Sequence, residues 1–368
     1  MHWKRKYTLT EEQRRMYASE KLMNFRWISK VVATRSSYML RDANLASPEV
    51  TAELAELGQF AEVVYSAVPF DFIFQNIAML SEPDFPLEGY DALQPSILAS
   101  SLEGRVGRLP AYIVYRPSTK QLVVAISGTS SVQLALHDIR TLKHRHPSRC
   151  GHVHSGFWAL YKGIKPLMFD AIRKGIREHD VDELVVTGHS MGGSISYLLC
   201  MDLLSTDGTP NSPLSPGLKL KLAVFGSPRT GDAKLVGYWR ELITAYRKSY
   251  GPDHMTEYSV KAYNDGVPAL PPSHFGFRHF AQAPLYLDRS QLYHVPPSEA
   301  EHALFEAASY DPNRLMTLKF PRGGHNYYNG HDLERLMRRF LWLDKAEPEK
   351  DSWEERYRQA ITKHRATA

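Results

Sequence analysis

The residues best suited to do chemistry lie at Gly188-His189-Ser190-Met191-Gly192-Gly193. A serine hydroxyl is a poor nucleophile at neutral pH; it needs an adjacent base, and the base needs a third group to fix its tautomer. G-x-S-x-G is a weak signal in isolation, so its flanks matter. Glu183-Leu184-Val185-Val186-Thr187 before it is β-prone and mostly apolar, and Ser194 to Leu204 after it can form a buried helix. Strand, tight turn, helix is the context of a nucleophile elbow. Glycines at 188 and 192 clear the space that a sharp turn needs. Ser190 would then project from the tip, beside the positive end of the helix that follows.

The partners must come from later strand ends. Asp265 directly follows a β-prone run, Tyr258–Asn264, and opens Asp265-Gly266-Val267-Pro268-Ala269-Leu270-Pro271-Pro272. That is a fitting place for the acid, although Asp-Gly is also a common turn pair. For the base, 16 histidines compete, and those after Asp265 are His274, His279, His294, His302, His325 and His331. His325 sits in the glycine-rich stretch Gly323 to Gly330, which suits a side chain that must reach across to Ser190. His331, at the start of the last helix, is its rival. His189 and His154 flank motif positions and read as hydrogen-bonded scaffold.

The elements that must position these groups alternate between the two periodicities. Strands are expected at Ala111–Tyr115 and Gln121–Ile126, joined by a turn, and at Glu183–Thr187, Leu218–Phe225 and Tyr258–Asn264, with a late hairpin at Ala283–Leu287 and Gln291–Val295. Helices are expected over Thr51–Val68, Ser155–His179, the stretch after the elbow, Leu235–Tyr250 and residues 332–343. Pro166 should kink or split the second of these. Residues 81–110 read as loops. Glu11 to Met39 is helix-permissive and carries basic and aromatic residues; such a helix packs on the main body or lies on a membrane interface. Three parts follow: a helical N-terminal extension at 1–50, a main α/β domain at 51–345 and a polar C-terminal tail at 346–368.

Composition excludes several classes. Of 368 residues, 43% are hydrophobic and 23% charged, enough apolar content for a sizeable core. The net charge of +5, from 45 basic and 40 acidic residues, is too small to argue for a nucleic-acid partner. No apolar run approaches the length of a membrane-spanning helix. Two cysteines and no N-terminal run resembling a secretion signal lead to the expectation of a cytoplasmic protein.

Six segments together resemble the fungal-type (class 3) lipase family of the α/β-hydrolase superfamily. Val186 to Gly193 is similar to its V-T-G-H-S-L-G-G, with Met191 for leucine. Ile126-Ser127-Gly128-Thr129-Ser130-Ser131 resembles its F-R-G-T/S stretch, with Ser127 in place of arginine. Val153-His154-Ser155-Gly156-Phe157 is similar to V-H-x-G-F, and Phe225 to Asp232 to F-G-S-P-R-x-G-N. Asp265 to Pro272 resembles D-x-V-P-x-L-P-P, and His325 to Gly330 resembles H-x-x-Y-F-G. The resemblance covers about residues 55–345. It implies an α/β-hydrolase fold, with a mostly parallel central sheet flanked by helices. It implies a triad of Ser190, Asp265 and His325, an oxyanion hole of Thr129 and the Met191 amide, and a lid near Val132, Leu134 and Leu136. It also implies hydrolysis of acylglycerol esters with no metal or cofactor. Phospholipid sn-1 or feruloyl-type ester cleavage on the same site is an alternative, and a catalytically silent lipid-binding scaffold is another. The partner is then a lipid or ester substrate, with peripheral contact to membrane or lipid-droplet surfaces as a further expectation.

Overall fold

The computed structural model describes residues 9–20, 24–128, 142–308 and 318–367. Its frame is an eight-stranded sheet: β1 (Ile97–Glu103), β2 (Pro110–Arg116), β3 (Gln121–Ile126), β4 (Glu183–His189), β5 (Lys219–Phe225), β6 (Met255–Ala262), β7 (Leu285–Asp288) and β8 (Gln291–His294). The strands lie side by side in chain order. Pairings from β3 through β7 are parallel, and the outer ones are antiparallel. Parallel neighbours need long crossovers; helices lie in those between β3 and β6, while residues 263–284, without an α-helix, join β6 to β7.

The helices used below are α1 (Glu11–Ala18), α2 (Arg26–Val32), α3 (Pro48–Val63), α4 (Ser155–Glu178), α5 (Met191–Thr206), α6 (Ala233–Tyr250), α7 (Leu333–Lys345) and α8 (Trp353–Thr367). They cover both faces of the sheet. On β4, Leu184 and Val186 pack among residues of α4, α5 and α6, while Val185 packs among those of α3 and α7. Central strands buried on both sides must be apolar at successive positions, which is why Leu122 to Ile126 carries no polar residue. This is the α/β-hydrolase architecture.

Four local expectations are corrected. Glu11 to Met39 is not one helix: α1 and α2 are separate, and Arg35–Leu40 is a strand parallel to Leu304–Ala307. Thr34, Ser36 and Ser37, just past α2, are poor helix formers, which favours that switch. Residues 97–103, read as loop, form the edge strand β1 on β2. Pro166 does not split α4, which runs through it for 24 residues. Tyr161, Ile164, Met168 and Ile172 are fully buried on that helix, and their burial, about 1.5–3 kcal/mol each, outweighs the roughly 3 kcal/mol cost of an internal proline. The polar tail is largely helix α8. Trp353, Tyr357 and Ile361, four residues apart, are buried, with Tyr357 stacked on Phe85 at 5.3 Å and Trp353 edge-on to Phe72 at 5.1 Å. Cys150 and Cys200 are both free thiols.

Candidate active site

The first group rises from the end of β4. Gly188 pairs with Val224, and the Ser190 amide donates to the Phe225 carbonyl at 2.8 Å, tying the turn to β5. Ser190 has φ 59° and ψ −130°, a backbone state that costs a non-glycine residue about 1–3 kcal/mol and persists only where its surroundings enforce it. The glycines are the enforcing feature. A Cβ on Gly192 would stand 2.1 Å from the Ile126 carbonyl oxygen, and one on Gly188 would stand 2.5 Å from the Gly192 carbonyl carbon. Helix α5 begins at Met191, so its first amides face the space in front of Ser190.

The second group follows β6. Asp265 is fully buried. Its Oδ1 accepts the Val267 amide at 2.9 Å, and its Oδ2 accepts both the Tyr328 hydroxyl and Nδ1–H of His325, the latter at 2.8 Å. Burial, then the Asp265 charge, holds the Tyr328 phenol well above its usual range, so it stays a donor. Gly226, with φ 60°, makes room: a Cβ there would lie 2.9 Å from the Tyr328 hydroxyl and 3.0 Å from Asp265 Oδ2. Arg229 holds the rest of this loop by donating to the carbonyls of Ala269 and Pro271 and pairing with Glu301.

His325 is held at almost every polar atom. Its amide donates to the Asn24 carbonyl at 3.1 Å, its carbonyl accepts from His189 Nε2 at 2.8 Å, and its Nδ1 is on Asp265. Among the described residues Nε2 has no hydrogen-bond partner. That is the ring atom a base would use, and Nδ1–H on a carboxylate leaves it the lone pair. Ser190 Oγ makes no hydrogen bond to it in this structure.

The neighbouring histidines are scaffold by their contacts. The His189 ring lies 4.3 Å from that of His325. Its Nδ1 faces the Tyr65 hydroxyl at 3.0 Å, and burial, then His325, push it well below the usual histidine range. His154 is lowered to about 4 by burial and accepts the Phe157 amide. His331 does not reach Asp265. It packs on Tyr90 at 4.4 Å and lines a cavity of about 650 Å³ with Gln13, Met16, Phe320 and Arg335, in which none of Ser190, Asp265 and His325 takes part. Thr129, Val132, Leu134 and Leu136 lie outside the described residues; the strand end before them is tied down by Ser127 Oγ on the Gly128 carbonyl.

Sequence reasoning passed over Tyr328, Gly226, Tyr65 and Asn24. Tyr328 and Gly226 lie in motifs it quoted, but their contacts with Asp265 are long-range. Nothing local marks Tyr65 or Asn24. Glu62 was also missed. Buried beneath the Tyr90 hydroxyl at 2.6 Å, it has its pKa raised from 4.5 to about 8, chiefly by burial, with the Tyr90 and Asn329 hydrogen bonds opposing. The folded chain therefore keeps a proton that the unfolded chain releases above 4.5. Stability that is whole at lower pH should fall by roughly 4 kcal/mol as pH rises from about 4.5 to about 8. Glu62→Gln should remove that fall, as read by urea denaturation at pH 5 and pH 8.

Comparison with known proteins places this geometry. The family model for lipase (class 3) matches residues 123–275, bearing out the resemblance over that segment. A lipase of Rhizopus niveus is 27% identical over 169 residues, covering 46% of this chain and 39% of its own. The secreted mono- and diacylglycerol lipase A of Penicillium cyclopium is 29% identical over 170 residues, covering 46% and 48%. The chain thus spans less than half the length of these curated relatives. Among solved structures, lipase II from Rhizopus niveus superposes with a TM-score of 0.58 at 18% identity, over 78% of this chain and 97% of that one. The native Rhizomucor miehei lipase propeptide complex does so with 0.58 at 19%, over 89% and 95%. Both share the fold.

Proposed function

We propose that this chain is a serine carboxylic-ester hydrolase that cleaves acylglycerols. The observation that carries the reading is a single imidazole, His325, with its amide, carbonyl and Nδ1 all committed and Nε2 left over among the described residues, packed on His189, the neighbour of a serine held in a strained turn. In the proposed cycle Ser190 Oγ meets Nε2 as the acyl group binds and passes its proton there. The oxygen attacks the ester carbonyl, and the resulting oxyanion takes up the Met191 amide and Thr129. Each such donor is worth about 10²–10³ in rate. Collapse of the intermediate sends the proton to the departing alcohol. Water, deprotonated by the same nitrogen, then attacks the acyl carbonyl; the bond to Ser190 Oγ breaks, the proton returns from Nε2 to Oγ, and the fatty acid leaves. Asp265 holds the imidazole in one tautomer and stabilises its charged form.

The name of the Penicillium relative, a mono- and diacylglycerol lipase, supports an acylglycerol substrate. Among the described residues no helix is long and apolar enough to cross a membrane; peripheral contact with a membrane or droplet surface is part of the proposal. A cytoplasmic address is the finer part of this reading; the Penicillium relative is named as secreted, and cell fractionation decides between the two. The test of function is direct. A fluorophosphonate probe should label the folded protein stoichiometrically, with the adduct on the peptide that contains Ser190, and p-nitrophenyl esters should turn over. A protein that does neither is no esterase. A panel of mono-, di- and triacylglycerols and phospholipids then fixes the substrate.

A further inference from the structure

We propose that Asn24 and Phe25, in the N-terminal segment outside the hydrolase sheet, are positioning residues for His325. This rests on the serine-hydrolase reading above.

Residues 318–328 form no strand or helix, yet they carry the group that must be placed most accurately. Their anchors come largely from the N-terminal segment. Gln13 Nε2 donates to the Leu318 carbonyl at 2.6 Å, the Tyr17 hydroxyl accepts the Arg322 amide at 2.8 Å, and Arg26 Nε donates to the Gly323 carbonyl at 2.9 Å. The two amides at the base itself go to one residue. His325 N–H donates to the Asn24 carbonyl at 3.1 Å, and Asn326 N–H to Asn24 Oδ1 at 3.2 Å. An alanine at 24 keeps the backbone carbonyl for the His325 amide but takes the Oδ1 acceptor from the buried amide of Asn326, the next residue along, and an unpaired buried amide is costly.

Phe25 works on the ring. It stands at right angles to the His325 imidazole with centroids 5.3 Å apart and is 1% exposed. Its backbone is left-handed, φ 53°, a genuine outlier for a bulky residue and one worth tracing to a role. It clusters with Ile28 and Val267, and the Val267 amide holds Asp265. One apolar knot therefore touches both the loop of the acid and the loop of the base. The fit is close: a Cβ on Gly266, next to Asp265, would stand 2.6 Å from the Ile28 Cβ and from the Phe25 carbonyl oxygen. With the amide of His325 held by the Asn24 carbonyl, that of Asn326 by the Asn24 side chain, Nδ1 by Asp265 and the ring packed on Phe25, the direction of Nε2 is set partly by a segment that belongs to neither the elbow nor the sheet.

The test uses full-length protein, with kcat and KM on a p-nitrophenyl ester, the rate of fluorophosphonate labelling, and the thermal midpoint of each variant. Asn24→Ala and Phe25→Ala, assayed well below their midpoints, should lower kcat and the labelling rate together by about ten- to a hundredfold, because misplacement of a catalytic group costs rate. KM should stay within about twofold, the sign of an interaction that matters in the transition state and not in substrate binding. Phe25→Leu, which keeps an apolar wedge, should recover most of the loss, and it decides the matter if Asn24→Ala does not fold. Trp27→Ala, two residues on and exposed, should change nothing. Wild-type kcat in folded Asn24→Ala and Phe25→Ala would overturn the proposal. So would a rise in kcat, which would make the segment an obstruction, or a change in KM alone, which would put it on the substrate. Wild-type protein that neither turns over nor labels sinks the esterase reading and this proposal with it.

Discussion

His325→Ala should lower ester turnover by about 10⁵–10⁶-fold while leaving the fold intact, because loss of the base disables the nucleophile as completely as loss of the serine does. The structure gives the reason for so large a value. Among the described residues Nε2 of His325 has no hydrogen-bond partner, and its ring lies 4.3 Å from that of the elbow residue His189. The adjacent His189 cannot substitute, since both its ring nitrogens are engaged, by Tyr65 and by the His325 carbonyl. The control is His331→Ala, which removes a ring that stacks on Tyr90 away from Asp265. That variant should keep kcat within about threefold, as expected of a residue that touches neither the reacting atoms nor their supports. Parallel measurement of kcat/KM and near-ultraviolet circular dichroism checks both. Full activity in His325→Ala, or its loss only in His331→Ala, would reassign the base.

Asp265→Asn should cost about 10⁴-fold in kcat with KM little changed, the loss expected when the acid no longer fixes the tautomer of the base. The carboxylate accepts three hydrogen bonds, from His325, Tyr328 and the Val267 amide, in a fully buried site. A carboxamide cannot accept all three with the same geometry, because one of its ends is a donor. If that NH₂ faces Nδ1, the ring must carry its proton on Nε2, where it can no longer take one from Ser190. Single-turnover acylation isolates the effect: the burst should slow in step with kcat. Wild-type acylation by Asp265→Asn would show that the tautomer is set elsewhere.

The alternation of apolar strands and amphipathic helices made the doubly covered sheet legible, because a strand buried on both faces and a helix buried on one leave different periods in the chain. The elbow was legible for a similar reason: strand, glycine-flanked serine and helix are neighbours in the chain, so every constraint on them is local. The strand at 35–40, the edge strand at 97–103 and the buried stripe of α8 were not legible. The first and last depend on partners far away in the chain, Leu304–Ala307 and Phe85; residues 97–103 pair with nearby β2, but Ile97-Leu98-Ala99-Ser100-Ser101-Leu102-Glu103 lacks the strict alternation of a half-buried strand.

By itself, then, the sequence determined that Ser190 sits at a strained turn and that an acid and a histidine stand after later strands. Residue types and spacing left His325 and His331 as rivals, and the resemblance implied His325; the contact that joins it to Asp265 is a matter of tertiary structure. Asp265 and His325 are 60 residues apart and joined at 2.8 Å, while His331, six residues further along, faces another cavity. Nothing in the local chemistry of an imidazole distinguishes the two. What distinguishes them is where a loop without regular structure is pinned, and the pins, Asn24, Arg26 and Tyr17, lie some three hundred residues away in the chain.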